Sequence, residues 1–253
     1  MKILTFLCLI LLLLSGCQTL DRGSFGLFER LKNNTAHGYN IIDTKQKGFN
    51  PRPPVDLVER FEVRNGECSR HGKTNDCVRN TERSEIEEVT RNIYGNGTEQ
   101  WFKWSIYFPK DYKTIFPSQT ILGQFAHYRT HTPAFWFVEN NNDYILTGKF
   151  IYFNKTLIEK QNLRGKWHDI KINVYWSSNE DIGFMKVWVN NILKINYRGP
   201  TILKNKNIFF KYGIYRSNIH RYKGPKSQIL PTQTVFYSDV KRSNKAFETD
   251  IKK

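Results

Sequence analysis

The chain has 253 residues, 15% of them aromatic, and carries 39 Lys and Arg against 23 Asp and Glu, a formal net charge of +16. So basic a balance favours a polyanionic partner. The four cysteines show no zinc-type spacing, which excludes a zinc-stabilised fold, and the length suits one globular domain behind an export segment.

Residues 1–16 run from a lysine through an apolar stretch to small residues, which is the pattern of a secretory signal. The stretch is too short and too sharply ended for a mature spanning helix. Its L-S-G-C ending resembles the bacterial lipoprotein box, in which the signal is removed and Cys17 becomes lipid-modified. Gln18 follows, where aspartate would commonly signal inner-membrane retention, so a lipoprotein of the outer membrane or cell surface is expected. An ordinary secretion signal is the alternative. Loss of the signal removes one lysine and leaves a net charge of +15. Basic residues interleaved with aromatics also suit single-stranded nucleic acid. Export sets nucleic acid aside in favour of an acidic polysaccharide.

Residues 17–37 read as a lipid-anchored tether with a short helix around FGLFERL, and residues 38–253 as a single domain. Cys68 and Cys77 sit close together in an oxidising compartment, which favours a disulfide over a metal site. Closing so short a loop contributes roughly 2–3 kcal/mol by the chain-entropy estimate. Short runs rich in aromatic and β-branched residues follow: VERFEVRN, RSEIEEVT, EQWFKWSIYFP, QTILGQFAHY, PAFWFVEN, DYILTGKFIYF, WHDIKINVYW, GFMKVWVNN, ILKINYRG, IFFKYGIYRS and QTVFYSDVKR. Asn, Gly, Pro and Asp separate them, as in a sandwich or barrel. VWVNNILKI reads as a hairpin turning at Asn190-Asn191. No long helical periodicity appears, and the expected fold is an all-β, concanavalin A-like jelly-roll sandwich.

Three segments carry candidate chemistry. In ERSEIEE, Arg83, Glu85 and Glu87 share a strand face. GQFAHY places an amide and an imidazole, Gln124 and His127, among apolar strand residues. In FFKYGIYRS, Phe209, Lys211, Gly213, Tyr215 and Ser217 point one way, while Phe210, Tyr212, Ile214 and Arg216 point the other. Each alone has a plain reading: a solvated charged face, a structural histidine, a core strand.

Together, R-S-E, then Q-F-(x)-H, then F-K-x-G-I-Y-R resemble the jelly-roll polysaccharide lyases, nearest the heparin lyase I-like and glucuronan lyase-like group and more distantly the alginate lyases. FEVRNGECSR and DCVRNTERSE resemble the approach to the first motif in that group, cysteine pair included, and the resemblance covers about Gly38 to Val240. It implies β-elimination on a uronic acid-containing polysaccharide. The C5 hydrogen of a uronate is barely acidic beside a charged carboxylate, so the developing enolate must be stabilised. Arg83 and Gln124 match the positions for that task, His127 the base, and Tyr215 the catalytic tyrosine. Lys211, Arg216, Glu85 and Gly213 are counted with substrate binding: Glu85 orients Arg83 or Lys211, and Gly213 leaves room for a sugar ring beside the strand. Lys211 and Arg83 would favour the Tyr215 phenolate.

This sequence departs from the family's Q-x-H. Strict alternation sends His127 to the face opposite Gln124, and a β-bulge at Phe125-Ala126 would return it, which is the expected arrangement. Without the bulge Ala126 takes the histidine's place, Tyr215 would serve as both base and acid, and His131 is a distant substitute on a loop. Phe209 stands where alginate lyases carry tyrosine. His168 reads as structural. Two rivals remain: a glycoside hydrolase using Glu85 and Glu87, and a non-catalytic glycan-binding lipoprotein. Neither a cofactor nor a metal is expected; structural calcium occurs in relatives, but no acidic ligand cluster is visible. A monomer is expected. Heparin-like chains, glucuronan, alginate and other uronate polymers all stay open as substrates.

Overall fold

The computed structural model describes residues 20–23, 26–31, 35–71, 74–89, 94–148, 154–224 and 229–247. The signal and Cys17 lie outside the described residues. In chain order the first strands are β1 (Leu20–Gly23), β2 (Gly26–Leu31), β3 (Tyr39–Asp43), β4 (Leu57–Val63), β5 (Arg70–His71) and β6 (Thr74–Asn75). The middle of the chain forms β7 (Glu82–Glu88), β8 (Thr98–Tyr107), β9 (Gln119–His127), β10 (Pro133–Asn140), β11 (Asp143–Gly148) and β12 (Lys155–Ile158). The last are β13 (Trp167–Trp176), β14 (Phe184–Val189), β15 (Ile192–Arg198), β16 (Ile208–Ser217) and β17 (Gln233–Ser243).

Two antiparallel sheets result, ordered β1-β2-β7-β16-β9-β10-β11-β12 and β15-β14-β13-β8-β17-β4-β3, with β5-β6 as a separate pair. This is a jelly-roll β-sandwich. All eleven expected runs form strands within the described residues; residues 149–153 of DYILTGKFIYF and Thr90 of RSEIEEVT lie outside them. The segment FGLFERL, expected as a short helix on a tether, instead lies largely within β2, which joins the sheet edge beside β7 through Phe28↔Glu88 to Leu31↔Glu85. Strands β1, β3, β5, β6 and β12 are additional, β1 forming the sheet edge next to β2 within the segment expected as tether.

The hairpin at Asn190-Asn191 joins β14 to β15, with φ of 49° and 64° at the two asparagines and Val189 opposite Ile192. Two positive φ values in a two-residue loop match the right-handed twist of the flanking strands, and asparagine tolerates them.

The core is aromatic. Phe102 of β8, Phe125 of β9 and Phe210 of β16 meet with centroids 4.8, 5.0 and 5.7 Å apart, joining the two sheets. All three are essentially fully buried. Phe125 follows Gln124 and Phe210 precedes Lys211, so rings that anchor the core fix the backbone from which the opposite face projects. Truncating such a ring to alanine costs about 3–5 kcal/mol.

Candidate active site

Strands β7, β16 and β9 lie side by side, and their registers bring the three motifs together. Arg83 pairs with Tyr215, Glu85 with Gly213 and Glu87 with Lys211, while Lys211 pairs on its other side with Gln124. Glu85 is the hub of the resulting network. Gln124 Nε2 donates to Glu85 Oε1 at 2.6 Å, Arg83 Nη1 donates to Oε2 at 3.3 Å, and Lys211 Nζ lies 3.7 Å from Oε2. The Arg83 guanidinium stacks 4.1 Å from the Tyr215 ring. Tyr215 and Trp136 both pack against Ile121, Val138 and Ile145, a small apolar cluster outside the main core.

Three expected placements are overturned. β9 carries no extra residue at Phe125-Ala126: its ladder with β16 runs regularly from Gln124↔Lys211 through Phe125↔Phe210 and Ala126↔Phe209 to His127↔Ile208. Against β10 the ladder slips twice: Pro133 faces Ala126 and Phe135 faces Phe125, so Ala134 is the extra residue on β10, and Gly123 faces Phe137 while Ile121 faces Val138, so Leu122 is the extra residue on β9. Alternation therefore holds beyond Gln124, Ala126 takes the histidine's place, and His127 turns inward. His127 is fully buried; its Nδ1 lies 2.8 Å from Thr132 O, and its Nε2 accepts from Leu203 N–H at 3.0 Å. With one nitrogen donating and the other accepting, it is a neutral structural imidazole.

Arg216 does not reach the face that carries Lys211 and Tyr215 either. It is fully buried on the core side, with Nη1 3.0 Å from Glu82 and the rest of its fork on Gln233 Oε1, Val63 O and Pro231 O. Gly213 makes no room for a sugar ring. Its φ is 129°, and a Cβ there would stand 2.4 Å from Ser84 O and 2.8 Å from Phe61 Cδ1. The glycine is required by close approach to β7 and the core, where β16 carries an extra residue against β9.

The polysaccharide lyase family model matches residues 45–241, most of the chain. The chain belongs to the polysaccharide lyase family. Among solved structures this lyase is similar to the endo-β-1,4-glucuronan lyase of the fungus Trichoderma reesei (TM-score 0.60, 14% identity, 83% of this chain and 88% of that one). It is also similar to the alginate lyase of Corynebacterium sp. (TM-score 0.51, 14% identity, 88% and 91%). A GH131 β-glucanase catalytic domain from Podospora anserina shares the architecture too (TM-score 0.52, 9% identity, 76% and 74%). At these identities the structures establish the fold alone. No curated protein sequence matches the chain.

Sequence reasoning missed Asp76. This fully buried carboxylate grips Arg83 with both oxygens, Oδ2 accepting from Nε and Oδ1 from Nη2, each at 2.9 Å. It stands next to Cys77, whose bond to Cys68 closes the loop (Cα–Cα 4.9 Å). Its position inside the cysteine pair was the available signal. The two-pronged donor surface of Arg83 is thus largely occupied within the protein, which makes the residue a rigid platform under Tyr215. Burial opposes the Arg83 charge, but Glu85 and Asp76 outweigh it and raise the guanidinium pKa above its usual value. For Tyr215 the balance is the reverse of that expected. Burial pushes the phenol pKa up; Arg83 pulls it down, while Glu85 and Asp76 add to the rise, and the net shift is upward. A phenol so held keeps its proton at neutral pH. Among the described residues, no group of three or more His, Cys, Asp and Glu is placed to hold a metal ion.

Proposed function

We propose that this lyase cleaves a uronic acid-containing polysaccharide by β-elimination on the face of β7, β16 and β9. The observation that carries the proposal is the meeting of Arg83, Glu85, Gln124, Lys211 and Tyr215 on one face outside the core. Lys211 and the second N–H of the Gln124 amide would neutralise the uronate carboxylate as negative charge moves onto it from C5. Tyr215, protonated and partly open to solvent, would give its proton to the departing O4. Glucuronan and alginate, named for two of the similar structures, are both uronate polymers, which supports this substrate class. A place near the heparin lyase-like group, an acidic substrate and action as a monomer belong to the same proposal. So does export as a lipoprotein anchored through Cys17 at the outer membrane or cell surface.

The test is ultraviolet absorbance during incubation of the protein with heparin, glucuronan, alginate and related polymers. A rise from the new C4–C5 double bond is expected on at least one of them. New reducing ends without absorbance would instead identify a hydrolase. That outcome is disfavoured because Glu85 is committed to Arg83 and Gln124. A second reading, capture of acidic glycans without cleavage, is favoured by one observation: alanine stands where the family carries its histidine. Tight binding without absorbance change on any polymer would establish it.

A further inference from the structure

Elimination needs a base, and of the three candidates named by the sequence, His127, Tyr215 and the loop residue His131, the first two are poorly suited. His127 faces the core with both nitrogens engaged. Tyr215 is held protonated, which suits an acid better than a base. Another imidazole stands on the reacting face. His131 lies in the turn between β9 and β10, with φ of 53°, a backbone state that a non-glycine residue adopts when its surroundings impose it. Here the imposing groups are visible. The His131 N–H donates to His127 O at 2.9 Å, and Thr132 O accepts from the His127 backbone N–H at 2.9 Å. The buried His127 ring also lies 2.8 Å from Thr132 O. His127 is therefore the post on which the turn hangs.

The turn folds the His131 ring back over the sheet. Its centroid lies 5.4 Å from that of Phe209, edge to face, and its Nδ1 lies 3.9 Å from Glu87 Oε2. Phe209 is the ladder partner of Ala126, and Glu87 that of Lys211. The imidazole thus overlies the region into which a histidine at position 126 would project, one row from Gln124. Its side chain is 48% exposed, so a substrate can reach it. Glu87 of β7 and Lys211 of β16 are the charged groups on the adjoining strands at this level.

We infer that His131 is the base that removes the C5 proton in this lyase, with Glu87 as its positioning residue, the imidazole having moved from the strand to the adjoining turn. This rests on the lyase reading above. In the step, the C5–H bond breaks and its proton goes to the His131 imidazole. The electron pair forms the C4–C5 double bond as the C4–O4 bond breaks, and O4 takes the Tyr215 proton. His131 then loses its proton to solvent, and Tyr215 regains one.

The test compares wild type, His131→Gln, His131→Ala combined with Ala126→His, and Glu87→Gln on whichever polymer the wild type cleaves. His131→Gln should lower kcat by about 10²–10⁴-fold, with polymer affinity and melting temperature unchanged. The combined variant, with an imidazole back on the strand, should recover at least roughly tenfold of that loss. Glu87→Gln removes a negative charge that favours the imidazolium, so the acid limb of its kcat/KM profile should move to lower pH. An active wild type with His131→Gln within about twofold of it, or changed in KM alone, overturns the inference while leaving the lyase reading intact. A wild type silent on every polymer overturns both.

Discussion

Toward the second sheet, β16 sets Arg216 among Glu82, Gln233 and the backbone oxygens of Val63 and Pro231. Toward the opposite face, the same strand sets Lys211 3.7 Å from one carboxylate and lays the Tyr215 ring against Arg83. The inward arginine has a partner for each of its forks. The outward lysine shares Glu85 with Arg83 and Gln124, which leaves its ammonium with donors to offer a ligand. Both sides are charged and both are nearly dry, so burial alone does not mark the functional one. What separates them is whether the protein itself completes the bonding.

Breaking the inward side should have the largest effect. Arg216→Ala leaves Glu82 buried without its cation and should cost about 3–5 kcal/mol, read as a fall in the denaturation midpoint. Tyr215→Phe, on the outward side, should leave that midpoint nearly unchanged and lower kcat by about 10²–10⁴-fold, with polymer binding retained. Loss of fold in this variant would contradict the division between the two faces.

The inward end of β7 sharpens the comparison through pH. Burial pushes the Glu88 carboxyl up to about 7, against hydrogen bonding from Phe210 N–H and the charge of Arg242. With its folded pKa above its unfolded one, Glu88 contributes stability at pH below about 4.5 that is lost as pH rises through 7. The shift corresponds to about 3 kcal/mol. Glu88→Gln should remove this slope from stability measured across pH 4–8; an unchanged slope would place its origin elsewhere. The smallest expected effect is that of replacing Cys68 and Cys77 by serine, about 2–3 kcal/mol of stability. Activity should fall further than this loss explains, because the loop that delivers Asp76 loosens.

Most of the architecture was legible because the strands are written in aromatic and β-branched residues bounded by turn formers. Asn190-Asn191 announced its hairpin through the one property the turn needs. Strands β3 (YNIID) and β12 (KTLI) escaped because short edge strands carry too little pattern, and β2 because its sequence alternates weakly. At the site, strand parity was a better guide than motif matching. Alternation alone sends Arg216 and His127 to the core, and the structure follows it in both cases. The bulge was expected in the right strand but near the wrong residues, since nothing in QTILGQFAH distinguishes a slip at Leu122 from one at Phe125. Gly213 shows a different gap. A glycine wanted by a neighbouring backbone reads the same as one wanted by a ligand.

The Cys68–Cys77 link has a consequence for when the protein can work. Asp76 braces Arg83, Arg83 supports Tyr215, and the brace sits within a loop closed by a bond that reducing compartments do not sustain. A chain with these two cysteines reduced would hold Tyr215 on an unsecured mount. The reacting face would then be complete only once the two cysteines have joined, so that cutting power depends on the oxidation state of a bond that touches neither substrate nor reacting residue.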